Sequence, residues 1–456
     1  MSQLGTSENP LLVAIVGSGP SGFYAAEALF KSELAVKVDM FERLPAPFGL
    51  VRHGVAPDHP KLKQAILLYE KIAANDDFNL VGNVTIGEDL QIDELKKSHH
   101  AVILTYGAET DRKLGIPGED LKGSYTATEF VGWYNGHPDY REREFDLSHE
   151  TAVIIGQGNV AADVARILAK SVDELKHTDI AQHALDTLAG SKIRDIYVIG
   201  RRGPAQAKFT PKELREFGEL EDCDPVVDPK ELALNEASEK ELEDKTNAGS
   251  KKIYQHFVEY SELTNLSKNK RVHFQFLRSP VELKGDGKLE SVVIEHNRLQ
   301  GEPFSQSARG TGETYEINSG ILFRSIGYRG IAMPGVPFED WGVIPNTEGR
   351  VQENGEVVSQ LYTAGWIKRG PTGIIGTNRA CAVETVGSLI ADIEKMKSAG
   401  NKGGISEIYK LLDARKIKYI NYDDWKKIDA REVENGKPKN KPREKFTRKE
   451  EMLAQL

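Results

Sequence analysis

Residues 11–22 read LLVAIVGSGPSG and residues 152–161 read AVIIGQGNVA. In each, an apolar run of strand length runs directly into small residues spaced G-x-G-x-x-G/A, here Gly17, Gly19 and Gly22, then Gly156, Gly158 and Ala161. The first run is apolar at successive positions, as expected of a strand buried on both faces. Residues 23–30 continue the first loop as an alanine-rich helix, and 36–41 (VKVDMF) form the next strand, with Glu42 at its end. That is a βαβ unit of about 30 residues. The second loop leads into a helix over 163–169, and its partner strand 196–199 (IYVI) ends in Gly200-Arg201-Arg202. The longer gap there predicts an added helical excursion over 171–192. Residues 101–107 and 361–365 read as further strands of the first unit, which would make that unit discontinuous with the second inserted in it. Segment 228–270 is charged and helix-prone. Residues 271–327 alternate apolar and polar side chains and predict antiparallel strands.

Composition narrows the chemistry. The chain has 456 residues, 60 basic and 69 acidic side chains and a formal charge of −9. It contains 39% hydrophobic residues, enough for two or three domains with a large core. Its two cysteines, Cys223 and Cys381, are too few and too far apart for a disulfide scaffold, a Cys-x-x-Cys redox pair or a thiolate-held metal cluster. No apolar run near the start is long enough to cross a bilayer, so no membrane insertion is expected. No nucleic-acid module is visible. The first basic residue is Lys31, so neither a secretory nor a transit leader is expected, and the expectation is a cytoplasmic, reducing location. The first ten residues are polar and expected to fray. Residues 436–449, with seven Lys or Arg, are expected to form an extended, mobile basic tail.

The glycine loops have a direct physical use. The first glycine permits a tight turn, the second lets backbone approach a diphosphate, and the third keeps helix against strand. The helix N-terminus then offers unpaired N–H groups to the anion. The ends of the partner strands separate the two ligands. Glu42 can accept hydrogen bonds from ribose hydroxyls and repels a 2′-phosphate, which suits FAD or NAD. Arg201 and Arg202 suit a 2′-phosphate, hence NADP. Two dinucleotide sites imply an electron-transfer flavoprotein. Without a cysteine pair, its electrons go to oxygen, to a bound small molecule or to an external one-electron carrier.

Longer strings carry a family resemblance over about residues 11–456. They include VGSGPSGFYAAE (16–27), PFGLVRHGVAPDHP (47–60), GNVTIGED (82–89), IIGQGNVAADVARIL (154–168), VIGRRGPAQAKFTPKELRE (198–216) and AGWIKRGPTGIIGTN (364–378). Together they resemble the adrenodoxin reductase-type ferredoxin–NADP reductases. The resemblance implies an α/β fold of two Rossmann-like domains, with an NADP domain (110–324) inserted into a discontinuous FAD domain (1–109 and 325–456). It implies electron transfer from NADPH through FAD to a ferredoxin-type iron–sulfur protein. The alternative kept beside it is an NADPH-dependent flavin monooxygenase or oxidase.

By motif, the resemblance carries over FAD contacts to the main chain of Ser21, to Glu42, Leu50 and Ile86, and to a flavin wall of Trp366 with Gly373, Ile374 and Ile375. It carries over NADP contacts to Gln157, Gly158, Asn159 and Val160 in the diphosphate loop, to Arg201 and Arg202, to Glu213, and to the Gly373 backbone at the nicotinamide end. His59 and Glu216 are the expected polar groups near the nicotinamide. Hydride transfer needs no general base, so their expected work is positioning or tuning protonation. Gly370-Pro371-Thr372-Gly373 is expected to start a helix whose positive end favours an anionic flavin. Asp163 is expected to serve helix packing or hydrogen bonding. Lys208, Lys212, Arg215, Lys368, Arg369 and the basic tail are the expected attractors of an acidic partner.

Overall fold

The structure, a computed structural model, describes residues 3–396 and 402–456. The chain forms two compact units, one of Met1–Thr110 with Gly327–Leu456 and one of Asp111–Ile326.

The first unit is built on a seven-stranded sheet. Its order is Asn346–Thr347, Arg350–Glu353, Glu356–Thr363, Ala101–Leu104, Leu11–Val16, Val36–Glu42 and Phe78–Gly82. Leu11–Val16 is central and runs parallel to both neighbours, pairing Val13 with Val38 and with Ala101. Leu361 to Thr363 pair in parallel with Val102 to Leu104, so the two ends of the chain share one sheet. Helix Pro20–Phe30 follows the first strand and buries Phe23, Ala25, Ala26 and Leu29. It packs beside helix Thr377–Ala391, and Phe23 stacks on Tyr69 with ring centroids 4.8 Å apart.

The second unit repeats the plan. Six strands, all parallel, run in the order Ser124–Thr126, Ile321–Arg324, Thr151–Ile155, Asp195–Ile199, Lys270–Gln275 and Cys223–Val226. Helix Asn159–Ala169 covers one face, and short helices Val172–Leu175 and Gln182–Ala189 make the predicted excursion. Helices Glu236–Glu243 and Ala248–Ser261 occupy the charged segment. A separate antiparallel sheet joins Arg278–Lys284, Ser291–Gln300 and Ser307–Asn318. Both units are therefore doubly wound, Rossmann-like α/β folds, as the sequence predicted.

Four local expectations are corrected. Within 271–327, Lys270–Gln275 and Ile321–Arg324 are parallel strands with strands on both sides, not antiparallel ones. Val272 and Phe274 face an aromatic core, while His273 stacks on Tyr197 on the other side. Alternation thus reports one drier face and not strand direction.

The chain start does not fray over its described residues: Leu4 is buried, and Gly5 bonds Asn9 and Ala35 through its backbone. The basic tail is docked, because Met452 is buried and the ammonium groups of Lys441 and Lys445 reach Glu444 and the Arg52 carbonyl. No helix starts at 370–373. Gly370 and Gly373 both have φ above +80°, outside helical space, and the helix begins at Thr377.

A buried histidine gives the first unit a pH signature. His100 Nδ1 accepts the N–H of Leu12 at 3.0 Å and ties the start of the central strand to Ala101–Leu104. Burial, then nearby Lys402 and His99, hold its pKa down at about 4. The unfolded value is about 6.5, so the neutral form stabilises the fold fully above that pH and the contribution is lost as pH falls toward 4. In His100→Asn, which keeps an acceptor for Leu12, the loss of urea stability between pH 6.5 and 4 should be shallower. An unchanged acid limb would refute this role.

Candidate functional site

In the first unit the site assembles at the C-terminal edge of the parallel strands. Gly17 has φ +104°, and a Cβ there would lie 2.8 Å from the Thr105 carbonyl oxygen. A Cβ on Gly22 would lie 2.2 Å from the Gly17 oxygen. These two glycines are required by the turn and by helix–strand contact. Gly19 is different, since a Cβ there would meet nothing within 4 Å. It is also the N-cap of Pro20–Phe30, with no side chain capping that helix. Open space plus uncapped N–H groups is what a diphosphate needs.

Neighbouring segments converge on this loop. Ser18 donates to Glu42 Oε2 through its hydroxyl (2.6 Å) and its N–H (3.3 Å), and Leu44 N–H donates to Oε1 (3.0 Å). A carboxylate accepts about four hydrogen bonds, so Glu42 is fixed in direction yet keeps capacity for a ribose hydroxyl. Val84 N–H donates to the Glu42 carbonyl, which brings the segment holding buried Ile86 across the strand end. Gly49, with φ +48°, sits so close that a Cβ would be 2.9 Å from Gly19 Cα, and Leu50 beside it is 40% exposed.

From the other end of the chain, Gly365 packs against Ser21, whose hydroxyl donates to Asn378 Oδ1 at 3.1 Å. Trp366 follows and stacks on Tyr328, centroids 5.4 Å apart. The indole Nε1 is buried without a hydrogen-bond partner among the described residues. Ile375 is half-buried and Ile374 is 66% exposed. An orphaned donor, exposed apolar side chains and an open glycine fit a bound FAD.

The second unit repeats the turn with different chemistry. Gly156 has φ +131°, and a Cβ there would lie 2.0 Å from the Ser325 oxygen; Gly158, like Gly19, faces open space. It is the N-cap of Asn159–Ala169, again with no side-chain cap. The Gln157 side chain is tied down, donating to the Gln275 carbonyl at 2.9 Å, so its main chain is what the loop presents. Asn159 Oδ1 accepts the Thr210 N–H at 2.7 Å, and Val160 is half-buried.

Arg201 is exposed and Arg202 half-buried, and neither forms a salt bridge among the described residues. Burial, then the Arg201 charge, lower the Arg202 pKa, against which the Glu241 charge acts. Two adjacent guanidinium groups without a paired carboxylate make a strong anion site.

Glu213 and Glu216 meet at a residue that sequence reading passed over. Arg166, buried on the helix after the glycine loop, donates to Glu213 at 2.9 Å and to Asp163 at 2.7 Å, and lies 3.6 Å from Glu216. Asp163 thus has the hydrogen-bonding role expected of it. The signal was present, since an arginine three residues after an aspartate on an apolar helix face demands partners. His59, in the first unit, is buried as the N-cap of Pro60–Lys63.

Of the basic residues expected to face a partner, Lys368 is corrected. It is buried and bonded to Glu384 and Thr385. Lys212 and Arg215 pair with Glu216 and Glu219, while Lys208 is exposed.

The glycines predict separable effects. Gly22→Ala should destabilise the apoprotein by about 1–3 kcal/mol through overpacking. Gly19→Ala should leave urea stability nearly unchanged but lower FAD retention on desalting. Equal effects on both properties in the two variants would contradict the assignment.

No family model matches the sequence. Individual relatives do. The chain is 44% identical over 464 residues to the mitochondrial NADPH:adrenodoxin oxidoreductase of Arabidopsis thaliana, covering 98% of this chain and 96% of the relative. It is 43% identical to NADPH-ferredoxin reductase FprA of Mycobacterium tuberculosis, covering 97% and 98%. It is 40% identical to the human mitochondrial NADPH:adrenodoxin oxidoreductase, covering 99% and 93%. The solved structure of M. tuberculosis FprA in complex with NADPH superposes with a TM-score of 0.93 over 98% of this chain and 99% of that one, at 43% identity. With both cradles intact and similarity running the length of the polypeptide, the chain belongs to the adrenodoxin reductase-type family of NADPH–ferredoxin reductases.

Proposed function

We propose that this enzyme passes electrons from NADPH through FAD to a ferredoxin-type iron–sulfur protein. The observation that carries the reading is the charge contrast between two otherwise equivalent cradles, Glu42 at one strand end and Arg201-Arg202 at the other. Bound FAD supplies a group that takes two electrons as hydride and gives them up singly. The chain supplies the surroundings. Glu42 orients a ribose, the Gly19 and Gly158 backbones admit the diphosphates, and Arg201 with Arg202 selects the phosphorylated dinucleotide. Leu50, Trp366 and Ile374 cover the flavin and exclude water. Glu213 and Glu216, drawn together by Arg166, and His59 act by positioning.

Cys223 is buried and its thiol is pushed up to about 12 by that burial, so it stays protonated and inert. Both thiols are free and buried, and the proposed electron path uses neither. Residence in a reducing compartment, the cytoplasm, belongs to the same proposal, and two unpaired, buried thiols are compatible with it. Recovery of the protein with an organelle fraction would reverse it. Among the described residues, no helix is long and apolar enough to cross a membrane.

The purified protein should be yellow and should bleach anaerobically on NADPH addition. Its reduction of cytochrome c should be strongly stimulated by a ferredoxin of the source organism. Oxygen consumption that depends on an organic substrate, without ferredoxin stimulation, would instead support the monooxygenase or oxidase reading.

A further inference from the structure

Beside the arginine turn lies a buried polar cluster with no part in the scheme above. Glu241, on helix Glu236–Glu243, is buried. Its Oε2 accepts Gln206 Nε2 at 2.8 Å, and its Oε1 accepts Gln306 Nε2 and the Phe304 N–H, each at 2.8 Å. Both amide nitrogens also donate to Ser238 Oγ at 3.0 Å, and Gln306 Oε1 accepts from Asn235 at 2.7 Å. An ionised carboxylate only accepts, so the amide nitrogen of Gln206 has to face Glu241 and the orientation of its oxygen follows.

That oxygen is the exception in the cluster. Gln206 Oε1 is buried and has no hydrogen-bond partner among the described residues. A Cβ on Gly203 would come within 3.0 Å of it, so it lies against the turn that carries Arg202. A buried acceptor left unmade is costly, and such exceptions call for an explanation. Arg202 offers one. A guanidinium has five N–H donors and a phosphate takes about two of them on one edge, so in a half-buried setting the others need acceptors.

We propose that Gln206 is a positioning residue of the NADPH site. Its Oε1 accepts an N–H of Arg202 when that guanidinium engages the 2′-phosphate. Glu241, held by Gln306 and Phe304, fixes the amide. Gln206 thereby becomes a determinant of the preference for NADPH over NADH. This rests on the reading of Arg201-Arg202 as the 2′-phosphate clamp.

The test measures 2′,5′-ADP and 5′-ADP binding to the FAD-loaded enzyme by calorimetry. Gln206→Met keeps the length of the side chain and removes its acceptor together with its donor to Glu241 and Ser238. It should weaken 2′,5′-ADP about tenfold and leave 5′-ADP unchanged, with the Michaelis constant for NADPH raised and kcat unchanged. Gln206→Asn, which withdraws the acceptor with little change in polarity, should act in the same direction. Gln306→Met, which removes a donor to Glu241 without touching the orphaned oxygen, should have less than about a twofold effect. In an Arg202→Ala background, Gln206→Met should add nothing.

Equal losses for both nucleotides, no loss for 2′,5′-ADP, or a full additional loss in the Arg202→Ala background would overturn the proposal. If Arg202→Ala alone leaves 2′,5′-ADP binding intact, the clamp reading fails and the proposal falls with it. If Arg202→Ala weakens binding and Gln206→Met does not, the proposal alone fails.

Discussion

Replacing Arg201 and Arg202 together by alanine should raise the Michaelis constant for NADPH by about a hundredfold or more while leaving that for NADH within about twofold. The two nicotinamide nucleotides differ only at the 2′-phosphate, so the ratio isolates that group. Each charge-assisted hydrogen bond contributes about 1.5–3 kcal/mol, and two guanidinium groups lose at least two of them. Neither arginine forms a salt bridge among the described residues, and Arg202 is half-buried with its pKa lowered by that burial. Their removal therefore frees no carboxylate that held them and should cost little stability. Steady-state kinetics with both nucleotides checks this, and parallel rises for NADPH and NADH would refute the clamp.

The second large effect is on holoenzyme stability. Glu432→Ala should destabilise the folded protein by about 3–5 kcal/mol and hasten FAD release. Arg52 and Glu432 form a two-pronged pair with N–O distances of 2.9 and 2.6 Å, and their side chains are 3% and 0% exposed. Arg52 also lies over the Trp425 ring, 5.0 Å from its centroid, while Glu432 accepts the Phe446 N–H at 3.0 Å. Arg52 belongs to the segment that places Leu50 and presses Gly49 against Gly19. Phe48, which begins that short helix, has φ +85°, an unfavourable conformation for a bulky residue that its surroundings must enforce.

Removing Glu432 leaves a buried charge unpaired and loosens this segment. Replacing both partners by apolar residues, Arg52→Met with Glu432→Leu, should be far milder. Urea unfolding together with the rate of flavin fluorescence recovery gives both quantities. A loss below about 1 kcal/mol for Glu432→Ala would contradict the argument.

The same pair shows where sequence reading stopped. Glycine loops, their flanking strands and the contrast of Glu42 with Arg201-Arg202 are local patterns, and the structure places those elements where the patterns predicted. The strand read at 361–365 was found in part: it spans Glu356–Thr363, and its polar first half escaped the reading because only the Leu361-Tyr362 end is apolar. Partners separated by hundreds of residues were invisible. Nothing near Arg52 points to Glu432, 380 positions away, and the basic tail looked mobile because its docking depends on equally distant groups, such as the Arg52 carbonyl that Lys445 reaches. Likewise, Lys368 looked like a surface charge because burial of its ammonium depends on Glu384 and Thr385 of the following helix. Residues 271–276 show the third limit, since alternation of side chains cannot distinguish a parallel from an antiparallel neighbour.

Equilibrium titration of the FAD-loaded enzyme with NADP+ tests the central claim most directly. One FAD per chain should stay bound while one NADP+ binds per chain, and excess FAD should not compete with it. Displacement of FAD by NADP+, or a total of one dinucleotide per chain at saturation, would contradict the assignment of the two cradles to different ligands.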